Sequence, residues 1–74
     1  MSDEIVKHSV NISGHRTSVS IEREFWDLFA EAAAARDLSL NQLITRIDAK
    51  RTGNLSSAIR LFVLREVTGA SQDI

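Results

Sequence analysis

The 74-residue chain is predicted to be a mostly helical α+β domain, with two short strands followed by three helices. Residues 6–12 and 15–21 form two runs that each alternate between β-branched and polar positions, which is the period of a half-buried strand. From residue 23 onward the apolar positions recur at helical spacing instead. Size adds a third expectation, self-association, because so short a chain buries little surface and contains no cysteine for a disulfide.

Ser13-Gly14 separates the two alternating runs and suits a two-residue hairpin turn. With that turn, Val10 lies opposite Thr17 and Asn11 lies opposite Arg16. One face is then mostly apolar and the other entirely polar, and a shift of one residue would mix them. A free N-terminal arm before a single strand remains an open alternative. No internal repeat is apparent.

The first helix is predicted over about residues 23–36, with acidic residues around its first turn that suit the helix dipole. Ser39 is a good N-cap for the second helix. The apolar positions of that second helix form one clean stripe: Leu40, Leu43, Ile44 and Ile47.

The third helix is predicted over about residues 56–67, after the basic loop at residues 50–54 and with Asn54 or Ser56 as its cap. Its apolar residues cover more than one face. A helix of this kind on a small domain must be buried on several sides, which indicates a partner chain. We expect residues 6–67 to form one domain, with flexible ends at 1–5 and 68–74.

Composition excludes several classes of function. A net charge of −1 argues against a polycation that coats nucleic acid or anionic lipid. His8 and His15 alone make a poor metal site, and no nucleophile motif or glycine-rich phosphate loop occurs. We therefore expect no enzyme, no metal and no cofactor. The acidic start has no apolar targeting segment and no run could span a bilayer, so a cytoplasmic location is expected.

Two segments carry a resemblance to a known family. They are Arg16-Thr17-Ser18-Val19-Ser20-Ile21-Glu22-Arg23-Glu24-Phe25-Trp26-Asp27-Leu28-Phe29 and Leu38-Ser39-Leu40-Asn41-Gln42-Leu43-Ile44. In this order, residues 16–49 resemble the ribbon-helix-helix DNA-binding family, the Arc and MetJ type of bacterial and phage repressor. The family pattern is an alternating strand, an acidic first helix and a Ser-x-Asn opening of the second helix. The sequence around Arg16 also resembles that of a small bacterial subfamily of uncharacterised ribbon-helix-helix proteins.

The resemblance implies an intertwined homodimer whose strands pair between chains as an antiparallel ribbon. The N-terminal strand would widen that ribbon, and the third helix adds to the family core. Thr17 would join the core of the ribbon. The dimer core implied by the match is Val19, Ile21, Leu43, Ile44 and Ile47.

The resemblance also implies DNA contacts. The outward strand residues Arg16, Ser18 and Ser20 would read base edges in the major groove. The first turn of the second helix, Ser39, Leu40 and Asn41, would hold a phosphate. Further DNA contacts are expected from Lys7, Asn11, Lys50 and Arg51. Each group also has a simpler interpretation: a solvated sheet face, a plain N-cap, or cations that complement a helix end.

The favoured function is a homodimeric, sequence-specific DNA-binding protein that regulates transcription, as a repressor does, with higher-order assembly on adjacent half-sites. The alternative is a dimeric protein-interaction module of the same fold, including an antitoxin-like role, with a protein partner on the third helix. The reason for this alternative is the width of the ribbon. Two hairpins would make a ribbon of four strands, which is too wide for a major groove of about 12 Å.

Overall fold

The computed structural model describes residues 4–50 and 53–69. Arg51, an expected DNA contact, lies outside the described residues. In chain order the elements are β1 (Ile5–Ile12), β2 (His15–Glu22), α1 (Arg23–Ala35), α2 (Leu40–Lys50) and α3 (Leu55–Val67). The predicted class, two antiparallel strands followed by three helices, is confirmed.

The hairpin forms in the predicted register, so the alternative of a free arm is wrong. Asn11 pairs with Arg16 and Val10 with Thr17, and one further pair, Ile5 with Glu22, extends the ladder. Ser13 and Gly14 both have positive φ, 51° and 83°. Two positive φ values define the type I′ turn, whose twist matches that of the strands it connects.

Local hydrogen bonds mark the end of α1 and the start of α3. After α1, Asp37 adopts a φ of 59°, and the N–H groups of Asp37 and Leu38 donate to carbonyls of α1. This is a Schellman arrangement, in which a left-handed residue reverses the chain. Asn54 caps α3 by accepting a hydrogen bond from the N–H of Ser57, so the helix begins at Leu55, one residue before the predicted start.

The three helices cover the apolar face of the hairpin and enclose one core. Its members are Val10, Ile12, Val19, Ile21, Phe29, Ala32, Ala33, Leu43, Ile44, Ile47, Ile59, Phe62 and Val63. Thr17 does not belong to it: this side chain is exposed and lines an open cleft with Asp48 and Leu55, so the prediction of a core position is wrong. The cleft exists because the helices leave the turn end of the apolar face partly uncovered.

All five residues expected in a dimer core are buried within the single chain. The two strands that pair here also belong to one chain. The homodimer and its ribbon between chains therefore stay predictions.

Two ion pairs fasten α3 to the rest of the fold. Arg60 Nε donates to Glu22 Oε1 at 2.7 Å, which connects α3 to the end of β2. Nη1 and Nη2 of Arg36 donate hydrogen bonds to the two carboxylate oxygens of Glu66, which joins the C-terminal ends of α1 and α3. Among residues 4–50 and 53–69, no helix has both the length and the apolar character needed to cross a bilayer.

Candidate nucleic-acid interface

One face of the hairpin carries exposed polar side chains along most of both strands. Alternation places the odd-numbered residues of β1 and the even-numbered residues of β2 on this face, opposite the buried valines and isoleucines. Its exposed polar members are Lys7, Ser9, Asn11, Arg16, Ser18 and Ser20. We call this set the polar ribbon face. It brings together the expected base contacts of β2 and two of the further contacts, Lys7 and Asn11.

The polar ribbon face carries two cations at opposite corners. Lys7 lies opposite Ser20, and Arg16 lies opposite Asn11 at the turn end. The next position on the same side of β2 is Glu22, whose carboxylate accepts the hydrogen bond from Arg60. That bond is the main reason that the pKa of Glu22 lies below its ordinary value. The acid therefore stays ionised, with its charge offset by a bonded guanidinium.

The first turn of α2 lies against the outer edge of β1. The N–H of Asn11 donates to Oδ1 of Asn41 at 3.4 Å. Ser39 and Gln42 form a reciprocal capping box: Oγ of Ser39 accepts from the N–H of Gln42, and Oε1 of Gln42 accepts from the N–H of Ser39. The N–H groups of Leu40 and Asn41 lie between them, in the turn where a helix has no carbonyl of its own to offer. The predicted phosphate turn is thus placed beside the ribbon.

Lys50 is not part of that turn. It is exposed in the last turn of α2, nine residues after Asn41, which is about 13 Å along the helix axis. Its position fits the simpler interpretation, a cation at the negative end of a helix dipole.

The first turn of α3 lies against the other outer edge of the hairpin, a contact that sequence reasoning missed. The N–H of Ser20 donates to Oγ of Ser56 at 3.3 Å. Ser56 is the second residue of α3, as Asn41 is the second residue of α2. Both edges of the hairpin are therefore hydrogen-bonded to the start of a helix.

A short sequence similarity between the two strands accompanies this arrangement. Residues 7–12 read Lys-His-Ser-Val-Asn-Ile and residues 16–21 read Arg-Thr-Ser-Val-Ser-Ile. The first five residues of α2 and of α3, Leu-Asn-Gln-Leu-Ile and Leu-Ser-Ser-Ala-Ile, share the leucine at the first position and the isoleucine at the fifth.

His8 is a packing residue. Its ring stacks on Trp26, with centroids 3.8 Å apart and planes 8° apart. Nε2 of His8 is buried and has no hydrogen-bond partner among the described residues. Burial lowers the pKa of His8, and the nearby Arg23 lowers it further. Within the part of the chain that the structure describes, no three His, Cys, Asp or Glu side chains lie close enough to hold a metal.

The outer side of α3 exposes apolar side chains. Leu61 and Leu64 are each 50% exposed and Val67 is 57% exposed, while Phe62 and Val63 face the core. The prediction that α3 is buried on several sides is therefore only partly met by the single chain.

The comparisons with known proteins agree with this geometry. The sequence model of the ribbon-helix-helix domain matches residues 5–67. The chain belongs to the ribbon-helix-helix family. A solved structure of an uncharacterized protein from Bordetella pertussis Tohama I is similar, with a TM-score of 0.78 and 30% identity over 90% of this chain. This ribbon-helix-helix chain spans 58% of the length of that neighbour. No curated protein matches the sequence.

Proposed function

We propose that the chain is a sequence-specific DNA-binding protein that regulates transcription, with the polar ribbon face in the major groove. The observation that carries the proposal is this face: six exposed polar side chains on a two-stranded ribbon, with two cations and its terminal acid bonded to Arg60. A two-stranded ribbon fits a groove of about 12 Å. The objection that the ribbon is too wide for the groove concerns a ribbon of four strands. This ribbon has two, and its outer edges form hydrogen bonds with side chains of α2 and α3.

The residues of the polar ribbon face would have different roles. Arg16 suits guanine, because its guanidinium fork can donate to O6 and N7 together. The hydroxyl groups of Ser18 and Ser20 can both donate and accept hydrogen bonds, and so they discriminate less between bases. Lys7 and Asn11 extend the reading surface from β1.

The turn at Ser39, Leu40 and Asn41 would fix the ribbon in the groove by donating N–H groups to a phosphate. The positive end of the helix dipole favours an anion there. Lys50, and with it Arg51, would add at most a sequence-independent phosphate contact. In contrast, α1 carries three acids and one base, so this helix would face away from the DNA.

This role requires neither catalysis nor a cofactor, because regulation follows from occupying the DNA site. A regulator of this kind acts in the cytoplasm of a bacterium. Repression is the simplest consequence, since a bound protein blocks access to the DNA beneath it.

Selection of bound sequences from a random DNA pool tests the proposal. We expect one motif to be enriched, and Arg16→Ala to weaken binding to it by about 1–3 kcal/mol and to relax preference at that base. Arg65→Ala is the matched control: it removes the same charge from an exposed position in the last turn of α3, the opposite end of the helix from Ser56, which contacts Ser20. Equal binding by Arg16→Ala and the parent would rule out the ribbon.

The second candidate is a protein-interaction module, favoured by the exposed Leu61, Leu64 and Val67 on α3. In that case the same selection would enrich no motif even at low salt. Substituting Leu64 by Gln would then abolish partner binding, whereas the DNA-binding proposal expects this variant to keep the parent's motif.

A further inference from the structure

The side of α3 that points away from the core carries a row of four exposed side chains: Ser57, Leu61, Leu64 and Thr68. We call this set the outer row of α3. Its two central leucines are each 50% exposed, although the residues between them belong to the core. Burying such leucines against another apolar surface is favourable, so the row is suited to a contact.

The spacing within the outer row is that of a coiled-coil seam. Its members follow one another at intervals of 4, 3 and 4 residues, which is the alternation of the a and d positions of a heptad. The opposite side of the same helix packs on the chain's own fold through Ile59, Phe62, Val63 and the ion pair of Glu66. A second helix can therefore lie along the row without disturbing the core.

The outer row has the same pattern in both directions: a hydroxyl, two leucines and a hydroxyl. A contact between two copies related by a two-fold axis requires a surface that is complementary to itself. If the two helices are antiparallel, Leu61 packs on Leu64 of the second copy, and Ser57 lies beside Thr68 of the second copy. The pattern therefore favours a second copy of this chain as the occupant of the row.

The charges beside the outer row favour the antiparallel orientation. Arg60 and Arg65 flank the row on opposite sides, at the heptad positions that face each other in a parallel pair. A parallel pair would thus set two arginines against each other on both flanks. An antiparallel pair instead places Arg60, whose charge is offset by Glu22, beside the exposed Val67 of the second copy.

We propose that the outer row of α3 binds the outer row of a second copy in an antiparallel, two-fold contact. This contact leaves the polar ribbon face free, so it adds to any association through the strands and does not depend on DNA binding. Two half-exposed leucines from each copy bury far less than the roughly 1,200 Å² of a stable complex. The contact is therefore weak and reversible.

Sedimentation equilibrium from about 10 μM to about 1 mM tests the contact, because weak association appears in this range. The mass of the parent should double as the concentration rises. Leu61→Gln and Leu64→Gln should each raise the dissociation constant about tenfold, since each removes two leucines from a two-fold contact. Ala34→Gln is the control, because it puts the same side chain on an exposed position of α1 and should behave as the parent does. Thermal unfolding checks that each variant folds.

Disulfide cross-linking tests the orientation, because the parent contains no cysteine. In an oxidising buffer, Ser57→Cys mixed with Thr68→Cys should give a cross-link between the two variants, whereas Ser57→Cys alone should give none.

Three results would overturn the proposal. If the mass of the parent does not change with concentration, the outer row binds no second copy and is left to a different protein. If Leu61→Gln and Leu64→Gln associate as strongly as Ala34→Gln does, another surface joins the copies. If Ser57→Cys cross-links to itself, the helices are parallel.

Discussion

The imidazole of His8 lies flat on the indole of Trp26, with the two ring centroids 3.8 Å apart. This stack joins β1 to α1 on the apolar side of the hairpin. Nε2 of His8 is buried without a hydrogen-bond partner among the described residues. Burial therefore disfavours the charged ring and lowers the pKa of His8, aided by Arg23 and opposed by Asp27.

Acidification should therefore destabilise the fold at a pH above the range in which Glu22 and Glu66 protonate, since the pKa values of these two acids are lowered. The unfolded chain binds a proton at His8 near its ordinary pKa of 6.5, while the folded chain resists it. The free energy of unfolding is then highest above that pH and falls below it. Urea titrations from about pH 7 to about pH 5 should show this slope. His8→Phe keeps an aromatic stack and should reduce the dependence of the free energy of unfolding on pH. If the variant shows the same slope as the parent, another group causes the effect.

A second, lower pH window belongs to the acids of the ion pairs. Hydrogen bonds from Arg60 and Arg36 lower the pKa values of Glu22 and Glu66 below 4.5. Their contribution to stability is present above pH 4.5 and is lost as the pH falls through the lowered values. Replacing Glu22 and Glu66 by Gln should remove this loss of stability, which urea titrations below pH 5 can measure. The pH dependence that His8 causes at higher pH should remain.

The Arg36–Glu66 pair should stabilise the fold more than the Arg23–Glu4 pair. The side chains of Arg36 and Glu66 are 28% and 27% exposed, and those of Arg23 and Glu4 are 54% and 61% exposed. Water and salt weaken exposed pairs. A double-mutant cycle with glutamine substitutions should give a coupling energy of about 1 kcal/mol for the first pair and close to zero for the second. Equal values would contradict this ranking.

Ser13→Asn should stabilise the hairpin by about 0.5 kcal/mol, because asparagine tolerates positive φ better than serine does. Ser13 has a φ of 51°, in front of Gly14 at 83°. Ser13→Ala is the matched control and should lower the denaturation midpoint. If both variants shift the midpoint in the same direction, turn geometry is not the cause.

Leu40→Pro should weaken binding to selected and random DNA alike, by about fivefold to tenfold. Proline is accommodated at the first position of a helix but lacks the N–H proposed to hold a phosphate. Leu40→Ala loses the same leucine packing but keeps this N–H. The difference between the two variants in a binding titration therefore isolates the donor. If the two variants bind DNA equally well, the N–H of Leu40 does not contact a phosphate.

The sequence by itself determined the helices and, for a hairpin, its register, whereas the structure decided between the hairpin and a free arm. If the two strands pair through the Ser13-Gly14 turn, alternation favours this register, since a shift of one residue would mix the apolar and polar faces. Short polar caps at Ser39 and Asn54 set the starts of α2 and α3. These signals are readable because each acts between residues close in the chain or in strict alternation.

Only the tertiary structure decided what lies at the edges of the ribbon. The contacts of Asn11 with Asn41 and of Ser20 with Ser56 join residues 30 and 36 positions apart. No local pattern encodes such contacts, because they depend on how α2 and α3 pack across the apolar face. The same packing leaves Thr17 beside an open cleft although its parity is that of the core. Alternation states which side of a strand faces inward, and the helices decide how much of that side is covered.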